Sequence, residues 1–331
     1  MPEEAAMTPT TLDAAVLEDL VSAAVAAPSM HNTQPWRFRL RPDTHTVEIR
    51  AALDRELRAE DPDGRGLHLS VGAAAFNLRL AVAHHGWEPV LRLLPDGREP
   101  QLLVSVRLAG RRPPERAATE PDLYQQIWRR HTSRSPFSAR PLPGPLWTEI
   151  VDAARVEGVH LHLPDQDETR RLLGLTYEAE ARTISDQDRR EESRRWVRSG
   201  AGTHDGIPPE ALGPPDAAGH LPTRDFSALL PAAWQPAKVF EQHPQLAVLA
   251  TDHDRPADWL RAGLALQHVL LLATRDQVRA SLLHQAVEWA DLRWMLRDPR
   301  QGPEHVQMLV RLGYGPEGAP TPRRTAGSAL G

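Results

Sequence analysis

Two short stretches hold most of the side chains that could do chemistry. The first is APSMHNTQPWRF, Ala27 to Phe38, where a proline, a serine and an asparagine stand close together and a Gln-Pro-Trp turn follows. It sets many hydrogen-bonding groups beside one large apolar ring, which suits a binding loop better than a core element. The second is RRHTSRSPF, Arg129 to Phe137, in which Arg130 and Arg134 flank Thr132. Arginine stays charged and grips phosphate or carboxylate in a bidentate fork. That duty falls to arginine here because Lys238 is the only lysine. Its place in the Pro-rich WQPAKVF also argues against a Schiff-base mechanism. Taken alone, PSMHN equally suits a capped turn, and RRHTSR reads first as a solvated basic helix end.

Three other groupings read as structural. VHLHL puts His160 and His162 on one strand face, with no carboxylate at an obvious metal-ligand spacing. TDHDRPADW gathers Asp252, His253, Asp254 and Asp258 where they can cap a helix that starts near Pro256. GYGPEG is a turn after a strand, without the following helix that a dinucleotide fingerprint demands.

Composition removes whole classes of function. The 331 residues carry a net charge of −5, and basic residues are mixed among acidic ones, so no surface is expected to track a nucleic-acid backbone. With no cysteine, thiolate nucleophiles, Cys-ligated clusters and disulfides are excluded, and any redox chemistry must come from a cofactor. The longest apolar run, LALQHVLLLA, is half of what a bilayer requires, and the first residues do not form a signal peptide, so a cytoplasmic protein is expected.

The elements that must position the two stretches come in a repeated order. Leu12 to Ala27 has helical spacing and stops at Pro28, followed by the loop and by alternating strands WRFRL and TVEIRA around RPDTH. A long helix follows with Gly72 and three alanines in its first half, then the strand QLLVSVRLAG. After a helix over PDLYQQIWRR, the chain gives the helix PLWTEIVDAARVEG, the strand VHLHL, a helix with Gly263 where the first has Gly72, and the strand VQMLVRLGYG. The pattern implies a duplicated α+β unit: one unit over 12–112 and a second over 120–324. An insert at about 198–237 is crowded with Gly and Pro, yet carries Ile207, Leu212, Leu221, Phe226, Leu229, Leu230 and Trp234. A disordered linker does not need those apolar groups, and we read the insert as a lid.

The loop PSMHNTQPW resembles the Pro-Ser-x-x-Asn-x-Gln-Pro-Trp loop of the nitroreductase family of FMN-dependent oxidoreductases. RRHTSR and RLGYGPEGAPTPRR resemble its Arg segment and its basic C-terminal ending. The order, with the Arg segment opening the second unit, and the segments DGIPPEALG and WLRAGLALQHVLLLAT resemble the Acg-type members, which are duplicated in one chain. The resemblance covers residues 12 to 324. It implies a nitroreductase-like α+β sandwich, a pseudo-dimer of two fused units, and one composite FMN site in a monomer. Pro28, Ser29, Met30 and Asn32 would then meet the ring and ribityl chain. Arg130 and Arg134 would meet the phosphate or ring edge, Thr132 the ribityl chain or phosphate, and Arg323 and Arg324 the phosphate. Gln34 and Trp36 would anchor the loop. Catalysis would rest on the flavin, without a catalytic side chain: hydride from NADH or NADPH, then electrons to a nitro compound, quinone or similar small acceptor. The alternative is a flavin-binding or flavin-storing protein whose covered cofactor does not turn over. One departure stands out: the family commonly ends the second long helix with a glycine, and this chain has RDQV, so the helix is expected to run on.

Overall fold

The computed structural model describes residues 12–112, 123–197, 203–224, 235–300 and 302–331. Helix α1 (Ala14–Val25) starts on Asp13, whose carboxylate accepts the Val16 N–H. The hairpin β1 (Trp36–Arg41) and β2 (Thr46–Ala51) turns through His45 in the left-handed region. Then come α2 (Arg65–His84), β3 (Trp87–Leu93) and β4 (Leu102–Arg111). The second half has the short α3 (Gln126–Arg129), α4 (Gly144–Val156), β5 (His160–His162), α5 (Gln166–Ser185) and α6 (Gln187–Trp196). It continues with β6 (Gln245–Thr251), α7 (Pro256–Arg275), β7 (Arg279–Leu283), α8 (Ala290–Met295), β8 (His305–Gly313) and α9 (Ala326–Ala329).

Each half builds one four-stranded antiparallel sheet, in the order β1-β2-β4-β3 and β5-β6-β8-β7. The two orders are the same once α2 is matched to α7, so the α+β duplication holds strand by strand. Arg107 and Arg311 fall on matching strands, β4 and β8, but Arg107 faces solvent while Arg311 is fully buried. Helices α2 and α7 cross at two glycines: a β-carbon on Gly72 would lie 2.2 Å from the Leu260 carbonyl oxygen, and one on Gly263 2.1 Å from that of Leu69. Their contact also holds a buried amide pair, with Gln267 Nε2 donating to Asn77 Oδ1 at 2.7 Å.

The halves exchange chain ends. Leu123 and Ile127 belong to the core of the first half, as do Ala326 and Ala329 of α9. The last residue returns to the first sheet, where the Gly331 N–H donates to the Phe38 carbonyl at 2.9 Å.

Several expectations need correction. The helix expected over PDLYQQIWRR shrinks to four residues among those described. Helix α7 does not run on: it ends at Arg275, Gln277 takes the left-handed conformation at φ 60°, and the Val278 N–H closes back on the Ala273 carbonyl. No side chain caps the start of α7, whose N-cap is Arg255 and whose first residue is Pro256. Helix α2 is long and apolar enough to cross a bilayer, by length and composition only, but 72% of that stretch is buried inside the protein.

Candidate active site

The loop after α1 is strained and heavily tied. His31, Asn32 and Gln34 all have positive φ (48°, 55° and 51°), a conformation non-glycine residues rarely adopt unless their surroundings hold it. Ser29 Oγ accepts the Gln34 N–H at 2.9 Å, and Arg55 Nη1 donates to the Thr33 carbonyl at 2.7 Å. Gln34 does anchor the loop: its Nε2 donates to the His204 carbonyl at 2.8 Å and its Oε1 accepts the Arg324 N–H at 2.9 Å. Trp36 is fully buried in the first core.

Asn32 has a role the sequence did not suggest. Its Nδ2 donates to the Gly206 and Pro322 carbonyls, both at 2.8 Å, and its Oδ1 accepts from Arg323 Nη1 at 2.9 Å. Both amide hydrogens are spent on protein oxygens, which makes Asn32 a tie between the loop, the insert and the C-terminal tail.

Below this loop lies a cavity that opens partly to solvent. Pro28, Ser29 and Met30 line it from the first half, and Thr132 and Arg134 from the second. The segment after β7, through His284 and Gln285, forms another wall, and Leu221, Thr223 and Arg224 of the insert form a further one. Such a mixed lining of apolar and convergent polar groups at a junction between units is where small ligands bind.

Arg130 and Arg323 form a separate cationic pair. Arg130 is 5% exposed, its Nε has no hydrogen-bond partner, and burial alone pushes its guanidinium down to about 10. Burial and the nearby Arg130 push Arg323 down to about 9, and its Nε is also unpartnered. Neither makes an ion pair with a described residue. Two buried guanidiniums with no carboxylate between them suit a doubly charged anion such as a phosphate. Arg134, driven down to about 10 by burial and then by Arg224, spends Nη1 on the Ala211 carbonyl of the insert at 2.7 Å. Arg324 is not brought to this pair: its side chain turns to the Ser328 carbonyl, and the charges it feels are those of Arg55, Arg37, Asp54 and Asp205.

The far end of the cavity holds a buried charge network absent from the sequence expectations. Arg224 of the insert donates to Glu60 at 3.0 Å and to Glu288 at 2.6 Å. Burial disfavours its charge, but Glu288, Glu60 and Glu180 outweigh that and raise its proton affinity. His31 Nε2 donates to Glu60 at 2.5 Å, Ser193 Oγ donates to the same carboxylate, and His284 Nδ1 donates to Glu288. Against the upward push of burial, these partners hold both carboxylates below the ordinary range. One local signal existed: His284 and Glu288 are four apart, as on one face of a helical turn. Nothing local marks Glu60 or Arg224.

The insert is thus pinned at both ends of its first described part. Gly206 and His204 accept from the loop, Gly213 packs against Arg134, and Arg224 lies between two carboxylates. Phe226, Leu229, Leu230 and Trp234, on which the lid expectation leaned, lie outside the described residues. Elsewhere, His162 pairs with Glu304 and His160 with Asp252, and no cluster among the described residues has the make-up of a metal site.

No family model matches the chain. Among curated proteins, "Putative NAD(P)H nitroreductase Rv3131" of Mycobacterium tuberculosis (strain ATCC 25618 / H37Rv) is 33% identical over 320 residues, spanning 94% of this chain and 90% of that protein. "Putative NAD(P)H nitroreductase acg" of the same strain is 28% identical over 305 residues, spanning 91% and 90%. Among solved structures, a nitroreductase with bound FMN from Bacteroides fragilis NCTC 9343 matches 62% of this chain and 95% of its own, at 14% identity and a TM-score of 0.36, too slight a likeness to bear on the site. On the strength of the full-length relative, with the duplicated α+β architecture alongside it, the chain belongs to the nitroreductase family.

Proposed function

We propose that the chain is an FMN-dependent oxidoreductase that carries reducing equivalents from NAD(P)H to a small acceptor such as a nitro compound or quinone. The observation that carries this reading is the Arg130–Arg323 pair, two buried guanidiniums whose Nε atoms find no partner within the protein. A terminal phosphate supplies the missing charge, and the cavity lined by Ser29, Thr132 and Arg134 takes the rest of the cofactor. When bound, FMN supplies the electron chemistry. The protein's part is to bind and orient it and to keep water out. Because one cavity draws on both halves, a monomer with about one FMN per chain follows.

A second reading has its own support. Arg224 and Leu221 wall the cavity, and Arg224 is clamped by two carboxylates, so the insert restricts access to any bound ring. A flavin-storing protein that opens only rarely fits that geometry. Anaerobic mixing of the FMN-loaded protein with NADPH separates the two: rapid bleaching of flavin absorbance supports the oxidoreductase, and its absence supports storage. Protein that takes up no FMN defeats both.

A further inference from the structure

We propose that His284, oriented by Glu288, is the proton donor to the electron acceptor in the insert-covered cavity. This rests on the flavin reading above and adds a side chain to it. A quinone that accepts a hydride becomes a hydroquinone monoanion and needs one more proton to become neutral. In a cavity walled by the insert, a group built into the lining is placed to deliver that proton directly.

The lining offers few such groups. Glu60 and Glu288 are held as carboxylates by Arg224 and the two histidines, which leaves neither a proton to give. Both oxygens of Asp61 are spent on the Gly66 and Leu67 amides at the start of α2, each at 2.8 Å. Asp63 is 60% exposed at the rim. His31 gives its Nε2 to Glu60, and its side chain is only 1% exposed. His284 is different. Its Nδ1 must carry a proton because its partner is an ionised carboxylate that can only accept. Nε2 then remains as the exchangeable position. It bonds to no described residue, and the side chain keeps 19% of its surface accessible on the cavity wall. A histidine whose far nitrogen is fixed by a carboxylate is oriented for proton transfer from its near one.

The step balances as follows. A bound flavin would supply the hydride. The Nε2–H bond of the His284 imidazolium breaks, an O–H bond forms on the acceptor oxygen, and the imidazole is left neutral with its Nδ1–H still donated to Glu288. Water entering the cavity restores the proton. The charged groups that face this ring are Glu288 on its own turn, Arg224 of the insert, His31 of the loop, and Glu60 behind His31 and Arg224. Burial first, then Arg224 and His31, lower its proton affinity against the pull of Glu288. Donation should therefore strengthen as pH falls through and below the ordinary imidazole range of about 6.5.

The test uses FMN-loaded protein, photoreduced without oxygen, mixed either with p-benzoquinone or with ferricyanide, which takes single electrons and no proton. His284→Asn should slow reoxidation by benzoquinone on the order of 10²-fold. It should also abolish the acceleration at low pH, leave reoxidation by ferricyanide as in wild type, and retain FMN. Equal rates with benzoquinone in variant and wild type, or equal slowing with both oxidants, overturns the inference while the flavin reading stands. Should the variant not fold, ¹⁵N NMR of histidine-labelled wild-type protein without flavin decides: a ring protonated on Nδ1 that titrates at Nε2 supports the role, and an Nε2–H tautomer or a ring that does not titrate overturns it. Wild-type protein that binds no FMN removes the flavin reading and this inference together.

Discussion

Gly72 and Gly263 meet at the crossing of the two long helices so closely that a β-carbon on either would lie 2.9 Å from the α-carbon of the other. The contact joins the two halves through backbone, and the cavity opens beside it, with Leu69, Ala73 and Leu266 of the same helices in its lining. Gly263→Ala should force the helices apart, because the nearest atom to the new methyl is the Leu69 carbonyl oxygen and not a side chain that can swing away. Overpacking of this kind destabilises by about 1–3 kcal/mol. Thermal melts should show it as a clear loss of Tm, and a wild-type melt would mean the crossing can slide without penalty.

The tail arginines separate the phosphate proposal from a general charge effect. Arg323→Ala should weaken FMN by about 1.5–3 kcal/mol, the range for a hydrogen bond to a charged group. Arg324→Ala should change it little, since that side chain reaches Ser328 and not the Arg130 pair. Fluorescence titration of apo-protein with FMN and with riboflavin measures both. Riboflavin lacks the phosphate, so its affinity should respond to Arg323→Ala much less than that of FMN. Equal losses from the two variants would move the phosphate away from Arg323.

Acid should unfold the protein through the network behind the cavity. Glu60 and Glu288 have folded-state affinities for protons below their unfolded ones, so the stability they contribute is fully present above the unfolded carboxylate value of about 4.3 and is lost as pH falls through their folded values. His284, also lowered, adds a loss that begins below about 6.5. Asp61 runs the other way. Burial raises it to about 6, so its contribution is present below the unfolded value and lost as pH rises through about 6. Urea midpoints measured from pH 7 to pH 3 should therefore fall most steeply below about 4.3. Arg224→Met, which removes the cation between the two carboxylates, should flatten that limb, and an unchanged slope would show that other carboxylates govern it.

What the sequence made legible follows the range of each physical cause. Alternation exposed β1 and β2, and the paired Gly72 and Gly263 exposed the duplication, because both signals are local. Strand β3 is hidden by Pro89, which is tolerated only because β3 is an edge strand of its sheet. Strand β6 hides for the opposite reason: covered on both faces, its stretch 246–250 is continuously apolar and does not alternate. In α5 and α6 the buried stripe is interrupted by charged residues, including Glu180, Arg189 and Glu192. At the site, PSMHN and RRHTSR were legible as motifs, but the motif could not say that Asn32 would be consumed by Gly206, Pro322 and Arg323, partners up to 291 residues away. The Glu60–Arg224–Glu288 bridge likewise joins three distant segments, and only the His284–Glu288 spacing leaves a local mark.

Access to the cavity should depend on that same bridge. Arg224 is the last described residue before 225–234, and with Leu221 and Thr223 it places the insert on the cavity wall. Removing one partner of a buried ion pair destabilises by about 3–5 kcal/mol, most of it from the charge left unpaired. In Arg224→Met the orphaned groups are Glu60 and Glu288, which His31, Ser193 and His284 still bond, so the loss should fall on the attachment of the insert more than on the fold. If the insert must leave the wall before a nicotinamide can approach, the reduction rate scales with the fraction of open molecules, and each 1.4 kcal/mol lost from the latch raises it about tenfold until opening no longer limits. Stopped-flow mixing of FMN-loaded Arg224→Met with NADPH should then bleach the flavin at least about tenfold faster than wild type, with FMN retained and Tm only modestly lower. A variant that keeps its FMN and is reduced no faster would show that the wall made by Leu221, Thr223 and Arg224 does not gate the site.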